Sequence, residues 1–207
     1  MSATHARKKP FLRLATAAVA MVAALGMAAC SGGASTSSSS SSSAQVGDRS
    51  PEQIKEAGEI VIGIFSDKAP FGYIDADGKP AGYDVVYGDR IAADLGVTAK
   101  YVPVDAAART EVLASNKVDI TLANFTVTPE RAEKVDFANP YFKVSLGVVS
   151  PTSAEITDVS QLAGKTLIVT KGTTAEAYFE ANHPEVKLQK YDQYSDAYQA
   201  LEDGRGD

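Results

Sequence analysis

The most informative part of this sequence is one continuous stretch, VDITLANFTVTPERAEKVDFANPY, which runs from Val118 to Tyr141. It begins as a short apolar strand, passes through a threonine-rich turn and enters a helical turn at Pro129. Thr128 precedes the proline and is predicted to cap this helix. Arg131 lies within the first turn, where its planar guanidinium can bind a carboxylate through two parallel hydrogen bonds. The stretch therefore predicts a strand end that holds a carboxylate.

The segments around this stretch alternate between strand and helix patterns. Strands are predicted at 59–65, 100–104, 119–123, 143–150, 165–170 and 188–191, and helices at 83–95, 106–115, 158–163, 175–182 and 195–203. Asp75-Ala76-Asp77-Gly78 is a turn signal between two short extended segments. This order of elements predicts an α/β fold with parallel sheets, and folded structure is expected to start near Pro51.

Three polar segments follow the ends of predicted strands. They are residues 65–71, 106–109 and 124–131. Ligands of open α/β sheets bind outside the carboxyl ends of the strands. We therefore expect these segments to meet at one rim and to form a binding site there. Asp67, in the first of them, is expected to cap or pair locally.

The first 50 residues have the composition of an export signal and a linker. Residues 1–29 combine a basic start with a short apolar run and small residues, as in a secretory signal peptide. Cys30 follows directly and is the single cysteine of the chain. Its position predicts lipidation, and ordinary cleavage nearby that leaves a free thiol is the alternative. Residues 30–50 are rich in serine and are predicted to be a flexible tether.

The charge of the chain excludes one class of partner. The formal net charge is −6, and removal of residues 1–29, which hold four Lys/Arg and no Asp/Glu, changes it to −10. An acidic surface argues against nucleic-acid binding. The two histidines and the one cysteine suggest no metal site or nucleophile, and no cofactor is predicted. An acidic protein can still contain a local cationic pocket.

The stretch Val118–Tyr141 resembles the signature of the family 3 bacterial solute-binding proteins, the amino-acid receptors of ABC importers. VIGIFSDKAPFGYIDADGKPAGYDVV (61–86), LAGKTLIVTKGTTAEAY (162–178) and the final YQALEDGRGD agree with it, so the resemblance covers about 58–207. It implies the type II periplasmic-binding-protein fold, in which two α/β lobes are joined by a hinge. Lobe 1 would occupy residues 51–145 and lobe 2 residues 146–207. The second lobe, the return to the first and an ammonium-binding aspartate are expected to lie partly beyond residue 207.

The resemblance also implies a set of ligand-binding residues. Arg131 would bind the α-carboxylate, with a surface ion pair to Glu130 or Asp136 as the alternative. Thr174, at the start of a helix, would donate from the second lobe, where simple helix capping is the other interpretation. Arg109 would meet a side-chain carboxylate or lie on a solvated helix face. The full predicted set is Phe65, Lys68, Arg109, Asn124, Thr126, Arg131, Thr173 and Thr174, and Lys68 departs from the aromatic residue that many relatives carry there.

The function implied by this resemblance is that of a receptor, not an enzyme. The protein would be a monomer, lipid-anchored to the outer face of the cell membrane, that captures a polar amino acid and delivers it to the permease subunits of an ABC importer. The closest branch of the family binds cysteine, and glutamate or aspartate is the main alternative ligand. A dehydratase-like enzyme or a surface adhesin on the same fold is the alternative of another class.

Overall fold

The computed structural model describes residues 45–207. The predicted signal peptide, Cys30 and most of the predicted tether lie outside these residues. Within the described part of the chain, no helix is long and apolar enough to cross a membrane.

The described residues form an N-terminal lobe and a C-terminal lobe. In the N-terminal lobe the elements are α1 (Pro51–Ala57), β1 (Glu59–Ile64), β2 (Asp67–Lys68), β3 (Gly72–Ile74), β4 (Pro80–Ala81), α2 (Tyr83–Leu95), β5 (Thr98–Pro103), α3 (Arg109–Ala114), β6 (Ile120–Thr121) and α4 (Pro129–Ala132). In the C-terminal lobe they are β7 (Thr166–Thr170), α5 (Thr174–Asn182), β8 (Lys187–Tyr191) and α6 (Tyr194–Glu202). Short 3₁₀ turns at Ala106–Ala108, Thr152–Ala154 and Val159–Leu162 complete the list.

The main sheet of the N-terminal lobe is parallel, with the order β5-β1-β6. β1 is central, which explains why five of its six residues are buried. Its side chains alternate between two cores. Val61 packs with Val104 and Val112, while Ile60, Ile62 and Ile64 pack with Ala92 of α2 on the other face. The sheet is thus covered by helices on both sides.

A small antiparallel sheet of β2, β3 and β4 adjoins the first layer. Its β3–β4 turn is the one predicted from the sequence, since the Gly78 N–H donates to the Asp75 carbonyl at 3.0 Å. Gly78 adopts a φ of +76°, which glycine tolerates without strain.

The C-terminal lobe contains a parallel pair, β7 and β8, with Thr166 opposite Lys187 and Thr170 opposite Tyr191. Its core consists of Leu162, Phe179 and Val186. The helices predicted at 175–182 and 195–203 are present, each shifted by one residue at the start.

One prediction about an irregular segment was wrong. Residues 143–150 form no strand, because none of the described strands pairs with them, and Leu146 and Val149 remain 60% and 75% exposed. The first helix begins at Pro51, as expected, and the residues just before it are also held in place. Asp119 accepts hydrogen bonds from the Gly47 N–H (2.9 Å) and the Arg49 guanidinium (2.9 Å), which fixes the residues just before α1 onto β1 and β6.

Candidate functional site

A cavity of about 600 Å³ is lined by both lobes. Seven of the eight predicted ligand-binding residues line it: Lys68, Arg109, Asn124, Thr126, Arg131, Thr173 and Thr174. They follow the carboxyl ends of β1, β5, β6 and β7, because parallel strands direct these ends to one edge of each sheet. The three rim segments expected from the sequence therefore do converge.

Phe65 is the exception among the predicted residues. It is fully buried and packs with Val104 and Ala123 in the core beneath the cavity. Phe65 directly follows β1, and side chains two residues apart share one face of a strand, so it continues the inward face of Val61. The prediction that Phe65 lines the first loop is corrected: its ring supports the cavity from below.

Arg131 lies in the capped helical turn predicted from the sequence. The Thr128 hydroxyl accepts from the Arg131 N–H at 3.3 Å. The Arg131 guanidinium donates from Nη1 to the Thr126 carbonyl and from Nη2 to the Gly172 carbonyl, both at 2.8 Å. Glu130, the predicted alternative partner, pairs with Lys134 instead. The guanidinium of Arg131 thus sits at the wall of the cavity with no described carboxylate bound to it.

Arg109 is only 3% exposed, so the alternative of a solvated helix face is wrong. Its Nε donates to the Ala106 carbonyl (2.8 Å), Nη1 to those of Ala123 and Asn124 (2.9 and 3.0 Å), and Nη2 to that of Gly172 (2.9 Å). Burial lowers the pKa of Arg109 to about 10, so it remains charged at neutral pH. Most of its donors are engaged with backbone carbonyls that it holds in place.

Gly172 is the point at which both arginines contact the C-terminal lobe. Its carbonyl accepts from Arg109 and Arg131, and its φ is +71°. A Cβ at this position would lie 2.4 Å from the Cα of Ala107. Glycine is therefore required here by both the backbone conformation and the close approach of the N-terminal lobe.

The start of α5 follows this glycine. The Thr173 hydroxyl accepts from the Glu176 N–H at 3.2 Å and donates to the Thr170 carbonyl at 2.7 Å, so Thr173 caps the helix. Thr174 is the first helical residue and lines the cavity. The Thr126 and Thr174 hydroxyls make no hydrogen bond to any described residue. These two hydroxyls and the α5 N-terminus are available to an anionic group in the cavity.

Lys68 reaches across the cavity wall to two polar groups. Its Nζ donates to Asn124 Oδ1 at 3.0 Å and to the Tyr194 hydroxyl at 2.9 Å. Burial and the neighbouring Arg109 lower the pKa of Lys68 to about 8. Asn124 has a φ of +48°, and its carbonyl accepts from Arg109. Lys68 and Asn124 therefore form part of one polar network with the two arginines.

Sequence reasoning missed the site residue Tyr194 and the contact that Asp67 makes beside it. Tyr194 begins α6, lines the cavity and meets the Phe65 ring edge-on at 5.4 Å. It lies just beyond the carboxyl end of β8, so the rule that ligands bind at the carboxyl ends of parallel strands would have indicated it. Asp67 does not pair locally as expected, because its Oδ2 accepts from the Ser195 N–H at 3.1 Å. Both residues join the first loop of the N-terminal lobe to α6.

Comparison with known proteins is consistent with this architecture. The family model for bacterial extracellular solute-binding proteins, family 3, matches residues 60–204. The chain belongs to this family. Among solved structures, the solute receptor for L-cysteine of Neisseria gonorrhoeae is 55% identical with a TM-score of 0.74, over 76% of this chain and 65% of that one.

Two further relatives support the assignment. The cysteine-binding protein from Campylobacter jejuni is 52% identical with a TM-score of 0.73, over 76% of this chain and 64% of that one. The L-cystine-binding protein TcyJ of Escherichia coli is 30% identical over 75% of this chain and 59% of its own length. The chain thus spans about three fifths of the length of the relatives it matches. The predicted family and its two-lobed α/β fold are confirmed.

The charged residues of this cavity indicate the kind of ligand that suits it. Among its described lining residues, the charged side chains are Lys68, Arg109, Arg131, Lys143 and Asp207. Most of these charges are positive, which suits a ligand with a carboxylate. Asp84, whose pKa is raised to about 6 by burial, is fully buried and does not line the cavity. Lys68 and Tyr194 do form a hydrogen-bonded pair at the cavity wall, and burial lowers the pKa of the lysine and raises the pKa of the tyrosine.

Proposed function

We propose that this protein is the amino-acid-binding component of an ABC importer and that its ligand is cysteine. The observation that carries the proposal is the cavity between the lobes, in which Arg131 and the start of α5 face one space. An amino acid that binds both contacts both lobes at once. Such a ligand stabilises the closed arrangement of a two-lobed protein.

In the proposed binding mode the α-carboxylate lies between Arg131 and Thr174. The Arg131 guanidinium now donates to the Gly172 carbonyl, which is a neutral acceptor. A carboxylate adds the attraction of a full negative charge and can accept two parallel hydrogen bonds from the guanidinium, so the ligand competes well for this donor. Thr126 and Thr174 add hydroxyl donors, and the N-terminus of α5 adds a partial positive charge. The Asn124 main chain contacts the ligand's carboxylate or its ammonium group in this mode.

Cysteine is proposed as the ligand because the two cysteine-binding relatives are more than 50% identical to this chain. A dicarboxylic amino acid is the second candidate. The side-chain carboxylate of such a ligand needs a second cation. Arg109 is less available for this because it already donates four hydrogen bonds to backbone carbonyls. This engagement makes Arg109 less suitable for a side-chain carboxylate than the sequence alone suggests.

The remaining parts of the proposal concern location and partners. Export, a lipid anchor at Cys30 and delivery to the permease subunits of an importer follow from the family and from the signal-like first 29 residues. A dehydratase-like enzyme is the alternative of another class, since one neighbour, 29% identical, is described as the precursor of a cyclohexadienyl dehydratase. That neighbour is itself described as an ancestral amino-acid-binding protein and the curated relatives are binding proteins, which favours the receptor.

Isothermal titration of the full-length protein with the twenty amino acids and cystine tests the function. We expect cysteine to bind selectively and Arg131→Ala to weaken its binding at least about 100-fold, because a charge-assisted pair is lost. Lys134→Ala, which removes an exposed cation from the same helical turn, is the matched control and should bind normally. Failure of every amino acid to bind would disprove the receptor function.

A further inference from the structure

Lys68 is a half-buried ammonium group whose hydrogen-bond partners are both uncharged. It donates to an amide oxygen and a phenol, at 3.0 and 2.9 Å. Three aromatic rings surround it, with centroids at 5.4 Å (Phe65), 5.6 Å (Phe71) and 4.2 Å (Tyr194) from Nζ. Lys68 forms no ion pair with any carboxylate in the part of the chain that the structure describes. Its positive charge is therefore not neutralised by a direct ion pair.

The charged groups nearest to Lys68 do not change this conclusion. Asp67 and Asp84 attract the ammonium at a distance, but neither pairs with it and neither lines the cavity; Asp67 accepts from Ser195 and Asp84 from the Tyr141 hydroxyl. Arg109 adds a second positive charge from the cavity side. The pKa of Lys68 is lowered only to about 8, so the ammonium form still dominates at pH 7. This wall of the cavity presents a cation to whatever binds there.

We propose that Lys68 sets the charge selectivity of the cavity, so that amino acids with neutral or anionic side chains bind and those with cationic side chains are rejected. This inference rests on the proposed amino-acid capture. A ligand carboxylate held by Arg131 leaves the ligand side chain in the same cavity of about 600 Å³ as the Lys68 ammonium. A guanidinium or ammonium there meets a like charge in a partly desolvated site, where repulsion is stronger than in water.

Three variants separate the charge of Lys68 from its packing. Lys68→Met removes the charge and keeps a long, unbranched side chain that packs well against aromatic rings. Lys68→Arg keeps the charge at the same position. Lys117→Met makes the same chemical change at an exposed lysine that does not line the cavity. If Lys68 acts only through packing, the ratio of the two affinities should follow the volume of the side chain at this position. If it acts through its charge, the ratio should follow the charge alone.

Titration of the full-length wild type and these variants with cysteine and with arginine tests the inference. We expect the wild type to prefer cysteine strongly, Lys68→Met to reduce the ratio of the two affinities by about 10- to 100-fold, and the other two variants to preserve it. An unchanged ratio in Lys68→Met would overturn the inference while leaving the receptor function intact. If neither probe nor any other amino acid binds the wild type, the receptor function and this inference both fail.

Discussion

Arg109 and Arg131 show how the surroundings of a residue decide its role. Both guanidiniums lie close to Phe125, at 4.5 and 4.7 Å from the ring centroid, and both donate to the Gly172 carbonyl. Arg109 is buried and uses its other donors on its own lobe, whereas Arg131 is less buried and makes one further contact, to Thr126. The same side chain thus acts as a structural support at one position and is a candidate ligand contact at the other.

Asp84 is a residue whose titration should be visible in the stability of the protein. It is fully buried, its Oδ1 accepts from Tyr141 at 3.1 Å, and its Oδ2 has no partner among the described residues. Burial raises its pKa from an ordinary 3.8 to about 6. A folded-state pKa above the unfolded one means that the native state binds the proton more tightly. Stability should therefore fall as pH rises from about 4 to 6.

We expect Asp84→Asn to remove this dependence. Ionised Asp84 should cost the native state roughly 2–3 kcal/mol at pH 7, which the neutral amide avoids in part. The free energy of unfolding, measured with urea at several pH values between 4 and 7, checks the prediction. Asp77→Asn makes the same change at an exposed turn residue and should leave the pH profile as it is. Parallel profiles for the wild type and Asp84→Asn would contradict the prediction.

At the scale of elements, α6 is capped by a residue from the other lobe. Its own N-cap residue, Gln193, provides no side-chain hydrogen bond. Asp67 of β2 instead accepts from the Ser195 N–H at 3.1 Å. A carboxylate at a helix N-terminus both satisfies a free donor and complements the helix dipole. The position of α6 is therefore tied to the loop that also carries Lys68.

Asp67→Ala should consequently destabilise the protein by about 0.5–2 kcal/mol, the usual effect of losing a helix cap. Denaturation with urea, followed by circular dichroism, measures this change. Asp192→Ala is the matched control, because this carboxylate lies just before the same helix but forms a mainly exposed ion pair with Lys171. Exposed pairs contribute little, so the control should change stability by less than about 0.5 kcal/mol. Similar losses in the two variants would rule out the capping role.

At the scale of the whole molecule, the two lobes meet in two groups of contacts around the cavity. In one, Arg109 and Arg131 bind the Gly172 carbonyl. In the other, the loop after β1 contacts the start of α6 through Lys68 and Asp67. Both groups lie at the cavity wall, so a ligand there affects the same contacts that hold the lobes together.

Arg109→Met should weaken the arrangement of the lobes more than Arg131→Met does. It removes four hydrogen bonds to backbone carbonyls, three in the N-terminal lobe and one in the C-terminal lobe, where the Gly172 carbonyl keeps its bond from Arg131. We expect a loss of about 2–4 kcal/mol for Arg109→Met and about 1 kcal/mol for Arg131→Met. Guanidinium denaturation gives the two values, and small-angle X-ray scattering shows whether the radius of gyration increases. Equal losses would mean that Arg109 is not the structural support described above.

The local sequence was sufficient for most of the elements. The buried run 59–64, the Asp-Gly turn, the 83–95 helix and the Thr128-Pro129 helix start all have short-range signals that tertiary structure did not override. The convergence of the polar segments followed from a general rule about parallel sheets. The motif around Arg131 and its resemblance to family 3 were enough to identify the family, and the family match over 60–204 agrees.

Only the tertiary structure decided the environment of individual side chains. The burial of Phe65 and Arg109, the contact of Asp67 with α6 and the position of Tyr194 depend on residues far away in the chain, which sequence patterns do not encode. The apolar run 143–150 has the composition of a strand, but a strand forms only where another strand pairs with its backbone. Local propensity thus determined the elements, whereas the long-range contacts determined which charges are buried, which carbonyls are bound and which donors face the cavity.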